Sequence, residues 1–509
     1  MTQATLDRWL NAGARGDLLA LVGGALVPLA FAPFNLFVLA PLTLALLFAL
    51  WLRVTVRQAA WRGFLFGLGQ FGAGVSWVYV AIHEFGSTGA PLAALLTLMF
   101  VSILALYPML AGILARRLAG DTANRPGYFL LVIAPAVWIL VEWVRSWLFT
   151  GFPWLGMGYS QIDSPLHGWA PIFGVLALSS FVALSGGALA LVVLQRRQAL
   201  KTALPILLMI WGSGPLLDRI TWTTPYGKPI TVSLIQGDGT QENKWDESSI
   251  QERLDRYAQM TREQLGHSQL IVWPENAITV FYQDIKDSFF DPLSREARES
   301  GTDIVGGTPM LAEDGVRYYT GMVSLGRHEA FYRKVHLVPF GEYVPFESVL
   351  RGLIRFFDLP MSGFIPGPEH QPPLQAAGNK AAITICYEDA FGDAVANNLQ
   401  DATILINGSN NGWYGDSLAP HQHLQISRMR ALETGRPLAR ATTTGISALV
   451  DDKGHIISRS PQFVLYTLTG ELQPMTGTTP YVRWRDWPVL IIIGMVLFMV
   501  WRRQHQPSR

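Results

Sequence analysis

Residues 17 to 217 form a succession of long apolar stretches broken by short loops, and this pattern constrains the fold more than any other feature of the chain. Lipid offers no hydrogen bonds to a backbone, so a segment that enters it must be a helix or part of a closed barrel. A helix crosses with about 20 mostly apolar residues. Eight candidates lie at roughly 17–33, 35–52, 60–82, 89–115, 128–149, 170–194, 202–217 and 486–501. The first two are short and separated only by Pro33-Phe34-Asn35, which predicts a tight helical hairpin. The seventh is short and contains Pro205; the last carries Trp487 and Trp501 at its two ends, where interfacial tryptophans belong. Charged residues are 15% of the chain, against about 25% in an ordinary soluble domain.

Arginine and lysine orient these helices. Arg8 and Arg15 precede the first; Arg53, Arg57 and Arg62 fall between the second and third. Arg116, Arg117 and Arg125 follow the fourth, Arg196, Arg197 and Lys201 follow the sixth, and Arg502, Arg503 and Arg509 follow the last. The alternate loops, around Pro33, His83-Glu84 and 150–169, have no lysine or arginine. Basic loops stay on the cytoplasmic side. Eight spans satisfy that rule with both termini inside and residues 218–485 outside. A cleaved signal peptide is the alternative for the first stretch, since Ala30-Phe31-Ala32 resembles a cleavage site. Pro33 at the would-be scissile bond, and the apolar segment that follows, favour a retained helix.

The expected organisation is therefore a bundle of seven helices over 1–217, a water-soluble domain over 218–485, and an eighth helix with a cytoplasmic tail over 486–509. A net charge of +1 with no basic stripe argues against nucleic acid as a partner. Within the soluble part, strand-like runs at 230–235, 269–273, 303–306, 318–325, 329–337, 381–386, 403–406, 438–450 and 464–472 alternate with helical stretches at 246–266, 284–299, 390–399 and 419–434. Gly435 closes the last as a C-cap. Such alternation predicts an α/β layer architecture. Residues 343–370 do not fit it: they are long, apolar and punctuated by proline. Val349, Leu353, Phe356 and Phe357 can share one helical face with Arg351 and Arg355 opposite, as in an interfacial helix. An insertion packed on its own domain is the other reading.

Cys386 is the only cysteine, so an intrachain disulfide is excluded and a structural zinc site is disfavoured. A buried spectator, an intermolecular bridge and a nucleophile remain. The β run Lys380 to Ile385 leads into Cys386, and polar Tyr387, Glu388 and Asp389 follow at once. Trp273-Pro274-Glu275-Asn276 sets a carboxylate just past another strand, and Tyr332-Arg333-Lys334 sets a lysine in a third strand-like run. Strand ends that converge on one edge of an α/β sheet are where such folds keep their sites. An ordinary thiol has a pKa of about 8.5 and is only a few per cent thiolate at neutral pH. It needs a base, a role for Glu275, and a fixed cation for the oxyanion, a role for Lys334 aided by a backbone N–H near Tyr387. His421 and His423 lie two apart with no third ligand at a suitable spacing, so no metal is expected and both are read as solvated or helix-start residues.

In this order, with separations of 59 (334−275) and 52 (386−334), the three residues resemble the nitrilase, or carbon–nitrogen hydrolase, superfamily and its Glu–Lys–Cys triad. That resemblance implies an α-β-β-α sandwich. With the surrounding helices, the chain resembles the apolipoprotein N-acyltransferase family of bacterial inner membranes. Gly151-Phe-Pro-Trp-Leu155, Tyr159 to Asp163, Lys244-Trp245 and Asn407 to Gly415 extend the match. The resemblance implies that Glu342, Tyr387, Glu388 and Trp245 support the site. It further implies a phospholipid acyl donor such as phosphatidylethanolamine, a diacylglyceryl apolipoprotein as acceptor, a thioester on Cys386, and no cofactor. A monomer bathed in membrane lipid is expected, with its catalytic domain in the periplasm. The arm at 343–370, through Phe346, Leu353, Phe356, Phe357 and Phe364, is expected to act as a lid. Two rivals are a membrane-anchored amidase acting on a small amide and a non-enzymatic scaffold or transporter; one anchor would serve the first, and the intact triad disfavours the second.

Overall fold

The computed structural model describes residues 13–86, 88–120, 125–195, 197–237, 247–343 and 363–505. They divide into two units: residues up to Thr221 together with those from Arg483, and Trp222–Val482.

In the first unit, six described helices are long and apolar enough to cross a membrane: Gly13–Ala30, Ala90–Ala119, Pro126–Thr150, His167–Gln195, Ala199–Leu217 and Trp487–Gln504. A further candidate is a bent pair, Val56–Gly74 and Val78–Phe85, whose axes differ by 62°. The remaining apolar stretch folds as Leu39–Trp51, a helix of 13 residues and too short for an ordinary span. Length alone thus supports six or seven crossings where the sequence pattern predicts eight.

Helix Val56–Gly74 packs against helix Gly13–Leu26 by bringing backbones together. A Cβ on Gly24 would sit 1.9 Å from Phe66 O, and one on Gly69 would sit 2.1 Å from Leu21 O, so neither position tolerates a side chain. Small residues at such crossings are how membrane helices gain van der Waals contact. The helix begins one turn earlier than its apolar pattern predicts, because Thr55 and Gln58 form a reciprocal capping box. Arg62 is accordingly a helical residue and not a loop residue. It is fully buried, pairs with Asp17 at 3.2 Å and donates to Leu50 O at 2.9 Å. Near the end of helix Ala134–Trp147, Arg145 donates to Phe152 O and Trp154 O at 2.5 and 2.6 Å. Glu142 accepts from Trp138 Nε1, Met157 N and Ser179 Oγ. Together they brace the loop that carries Gly151 to Leu155.

The second unit has fourteen described strands: β1 Thr223–Pro225, β2 Ile230–Gln236, β3 Leu270–Val272, β4 Asp303–Leu311, β5 Tyr318–Leu325, β6 Ala330–Arg333, β7 Leu374–Ala376, β8 Asn379–Ile385, β9 Ile404–Ser409, β10 Leu438–Thr442, β11 Ala448–Val450, β12 Ile456–Arg459, β13 Tyr466–Leu472 and β14 Met475–Gly477. β1 and β14 make a short ribbon; the others form two six-stranded sheets, ordered β13-β2-β3-β4-β5-β6 and β12-β11-β10-β9-β8-β7. The central pairs β2–β3, β3–β4, β8–β9 and β9–β10 are parallel, and the outer pairs are antiparallel. β10 packs on β2 and β3, so the sheets lie face to face. Helices Ile250–Arg262 and Asp291–Ser300 cover the first sheet around Trp273, Tyr257, Phe290 and Leu293. Gly392–Leu399 and Ala419–Thr434 cover the second around Leu399, Leu405, Leu424 and Leu438. This is an α-β-β-α sandwich. With both sheet faces covered, β9 and β10 are buried at every residue, the polar Asn407, Ser409, Arg440 and Thr442 included.

Gly435 ends helix Ala419–Thr434 in the left-handed region at φ 62°, its N–H bonded to Ala431 O. β7, β12 and the β1–β14 ribbon have no counterpart among the predicted strands; they are three or four residues long, too short to show a period.

Candidate active site

Three strand ends deliver the predicted acid, lysine and cysteine to one place. Glu275 follows β3, in a turn where Asn276 adopts φ 46°. β9 passes close beside it at Gly408, where a Cβ would crowd Glu275 N at 3.2 Å and Met322 Sδ at 2.9 Å. Lys334 comes one residue after β6, which is shorter than the run 329–337 that the sequence predicts. Its N–H still bonds Thr320 O at 2.8 Å, which extends the pairing with β5. Cys386 comes one residue after β8 and opens a 3-10 turn, Cys386–Ala390, with φ 52°.

Lys334 is 1% exposed, and its ammonium lies between two carboxylates, 2.9 Å from Glu275 Oε1 and 2.8 Å from Glu342 Oε1. Burial alone would drive its proton off, but Glu275 and Glu342 outweigh it and hold the pKa well above the ordinary value. Glu342 is anchored in turn by Val338 N–H at 2.8 Å and Thr320 Oγ1 at 3.3 Å. Burial raises its pKa, against the pull of Lys334. The second oxygen of Glu275 accepts from Asn410 N–H at 3.1 Å, and the same N–H stabilises the Cys386 sulphur. Burial, then the Glu275 charge, push the Cys386 thiol far up, with Lys334 opposing. The resting site therefore holds a neutral thiol beside a carboxylate already paired to an ammonium.

Glu388 ties the lysine loop to the cysteine turn. Its Oε1 accepts from Val335 N and His336 N at 2.6 and 3.1 Å, and its Oε2 from Ile385 N and Tyr332 Oη at 2.7 and 3.1 Å. Burial pushes this carboxyl up to about 7 against those N–H donors. The Tyr387 ring packs on Phe391 and His336 at 4.9 and 5.6 Å between centroids. Trp245, Phe346, Leu353, Phe356 and Phe357 lie outside the described residues. Phe364, assigned by sequence to the arm, is buried in the domain, its ring 4.5 Å from that of Tyr318. Two backbone bonds explain this: Tyr318 N to Gly363 O at 3.2 Å and Ile365 N to Tyr318 O at 3.0 Å stitch the segment's end to β5.

The sequence reading missed a second layer. His423 is 2% exposed, not solvated; it contacts the Cys386 carbonyl and the Asp389 carboxylate. Arg440, on β10, is fully buried and bonds Asp389, Asn407 and Asn411. Burial pushes the pKa of the Tyr414 hydroxyl up, with Lys334 opposing. The one signal available was the polar run 407–415, which begins within β9 and continues past its end at the same sheet edge. Among the described residues no cluster of histidine, cysteine and carboxylate side chains could hold a metal ion.

Known proteins match the chain over both units. The family described as Apolipoprotein N-acyltransferase N-terminal domain matches residues 23–188, and the Carbon-nitrogen hydrolase family matches 231–481. An apolipoprotein N-acyltransferase of Methylococcus capsulatus is 44% identical over 96% of this chain and 97% of its own length. Those of Azotobacter vinelandii and Pseudomonas aeruginosa are 43% and 42% identical, over 96% and 98% of this chain and 96% and 99% of their own lengths. The chain belongs to the apolipoprotein N-acyltransferase family of enzymes.

Proposed function

We propose that the enzyme moves an acyl chain from a phospholipid of the phosphatidylethanolamine type to Cys386, and from there to the free α-amine of a diacylglyceryl-cysteine at a lipoprotein N-terminus. Glu275 takes the thiol proton as sulphur attacks the ester carbonyl. Lys334 and the Tyr387 N–H stabilise the oxyanion. Collapse expels the lysophospholipid alkoxide, which receives the proton from Glu275, and leaves a thioester. The amine then attacks and Glu275 takes its proton; collapse to the amide breaks the C–S bond and expels the Cys386 thiolate, which takes that proton back from Glu275. Glu342 and Glu388 hold the lysine and cysteine turns in register. The observation that carries this reading is the buried ammonium shared by Glu275 and Glu342 beside the thiol, since a preset cation in a dry site is worth far more to an oxyanion than one in water.

The proposed setting is the bacterial inner membrane, with eight spans, residues 218–485 in the periplasm and both termini in the cytoplasm. Each CH₂ moved out of lipid costs about 0.8 kcal/mol, so a long acyl chain is best transferred where it already lies. In a Cys386→Ala background, cysteines introduced near 460 are expected to label with an impermeant thiol reagent added outside intact cells, and those near 120 or 505 are not. Outside labelling of the 120 loop defeats this topology.

A transferase must hold its thioester away from water and open it to an amine. The acyl-enzyme is therefore expected to persist for minutes without acceptor and to discharge promptly when a diacylglyceryl-cysteinyl peptide with a free amine is added. Acetylating that amine should stop the discharge. Rapid release of free fatty acid, indifferent to the peptide, would favour a lipid hydrolase instead.

A further inference from the structure

Cys386 carries a side chain in the left-handed region at φ 52°. Such a residue costs on the order of 1–3 kcal/mol and persists only where its surroundings fix it. Here the fixing falls on its carbonyl oxygen, which accepts from His423 Nε2 at 3.1 Å and Asn407 Nδ2 at 3.3 Å.

The network behind these donors determines their orientation. Asn407 Oδ1 is taken by Arg440 Nη1 and Ser409 Oγ, which leaves its NH₂ toward Cys386. Asn411 Oδ1 is taken by Arg440 Nη2 at 3.2 Å, so its NH₂ faces His423 Nδ1 at 3.1 Å and makes that nitrogen the acceptor. His423 Nε2 faces two acceptors, the Cys386 carbonyl and Asp389 Oδ1 at 2.9 Å, and must carry the ring proton. Asp389 is itself held by Ser427 Oγ and by Arg440 Nη1 at 3.3 Å. Burial, reinforced by Arg440, keeps the His423 pKa below its ordinary value, so the ring is neutral.

In a trans peptide the C=O and N–H point in opposite directions. A carbonyl fixed from behind therefore aims the N–H of the next residue forward, and polarises it. We infer that His423, oriented by Asp389 and Arg440, is a positioning residue that fixes the Cys386–Tyr387 peptide and thereby aims the Tyr387 N–H at the oxyanion of acyl transfer. The inference rests on the mechanism proposed above and adds to it a residue that acts through the Cys386 carbonyl.

The test measures two rates on the purified full-length protein, first discharged with neutral hydroxylamine: acylation of Cys386 once the protein is placed in nanodiscs of phosphatidylethanolamine, and, in detergent without phospholipid, alkylation of Cys386 by iodoacetamide, which forms no oxyanion. His423→Leu is expected to slow acylation about 100-fold, the typical worth of one oxyanion donor, and to leave alkylation unchanged. His423→Gln, which keeps a donor near Nε2, should recover most of the loss. Asp389→Asn changes no volume and guards against a leucine variant that fails to fold. Its amide would turn oxygen to Arg440 and NH₂ to His423, forcing the other tautomer and setting a lone pair against the Cys386 carbonyl; the loss should match that of His423→Leu. Acylation at the wild-type rate in His423→Leu or Asp389→Asn overturns the inference. So does a fall in alkylation parallel to that in acylation, which would mean general damage to the thiol's surroundings. A wild-type protein that forms no acyl-enzyme, with alkylation normal, overturns the underlying mechanism and this inference with it.

Discussion

Cys386→Ala is expected to abolish both the acyl-enzyme and N-acylation of the acceptor, while the protein folds with little change in melting temperature. The thiol is the only group in the chain able to form a thioester. Its removal deletes one small side chain at a strand end and no backbone hydrogen bond, and alanine tolerates φ 52° about as well as cysteine does. Serine should fail as well, because its hydroxyl is a far weaker acid than a thiol and the same buried carboxylate must deprotonate it. Acylated lipoprotein made by purified Cys386→Ala at any appreciable fraction of the wild-type rate would remove the nucleophile from the mechanism.

Lys334→Met should reduce acylation by about 10²–10³ or more, since one oxyanion donor is typically worth that much. The change also leaves Glu275 and Glu342 without the ammonium that lies between them. Truncating one partner of a buried ion pair costs about 3–5 kcal/mol unless a group reprotonates. One of the two carboxyls is expected to take a proton. Rate and melting temperature must be measured together: a stable, folded Lys334→Met protein that keeps more than about a tenth of the wild-type acylation rate contradicts the electrostatic role.

The acid, lysine and cysteine were legible because each is tied to a strand end, and the chemistry of a thiol nucleophile asks for a base and a cation. The layer architecture was legible because strands covered on both faces read as apolar runs and alternate with helices. The positioning layer was not. His423 sits on Ala419–Thr434, a helix with a polar sequence that is nonetheless buried along almost its whole length. A sequence pattern assigns polar helix faces to solvent, and it cannot show that Arg440, Asp389, Asn407 and Asn411 arrive from other elements to satisfy them. Arg62 misled in the same way: a buried arginine paired with Asp17 reads as a loop charge until the capping box at Thr55 is seen. The arm divided similarly, with Phe364 drawn into the domain by backbone pairing to β5, which no hydrophobicity pattern encodes.

The central claim, that Cys386 carries the acyl chain between donor and acceptor, is tested most directly by the intact mass of the protein purified from its own membrane. An added mass equal to one lipid acyl chain is expected. That mass should map to the peptide containing Cys386, be released by neutral hydroxylamine as a thioester is, and vanish when an acceptor peptide with a free amine is supplied. An unmodified wild-type protein that nonetheless N-acylates the acceptor, or an acyl group found on any residue other than Cys386, would contradict it.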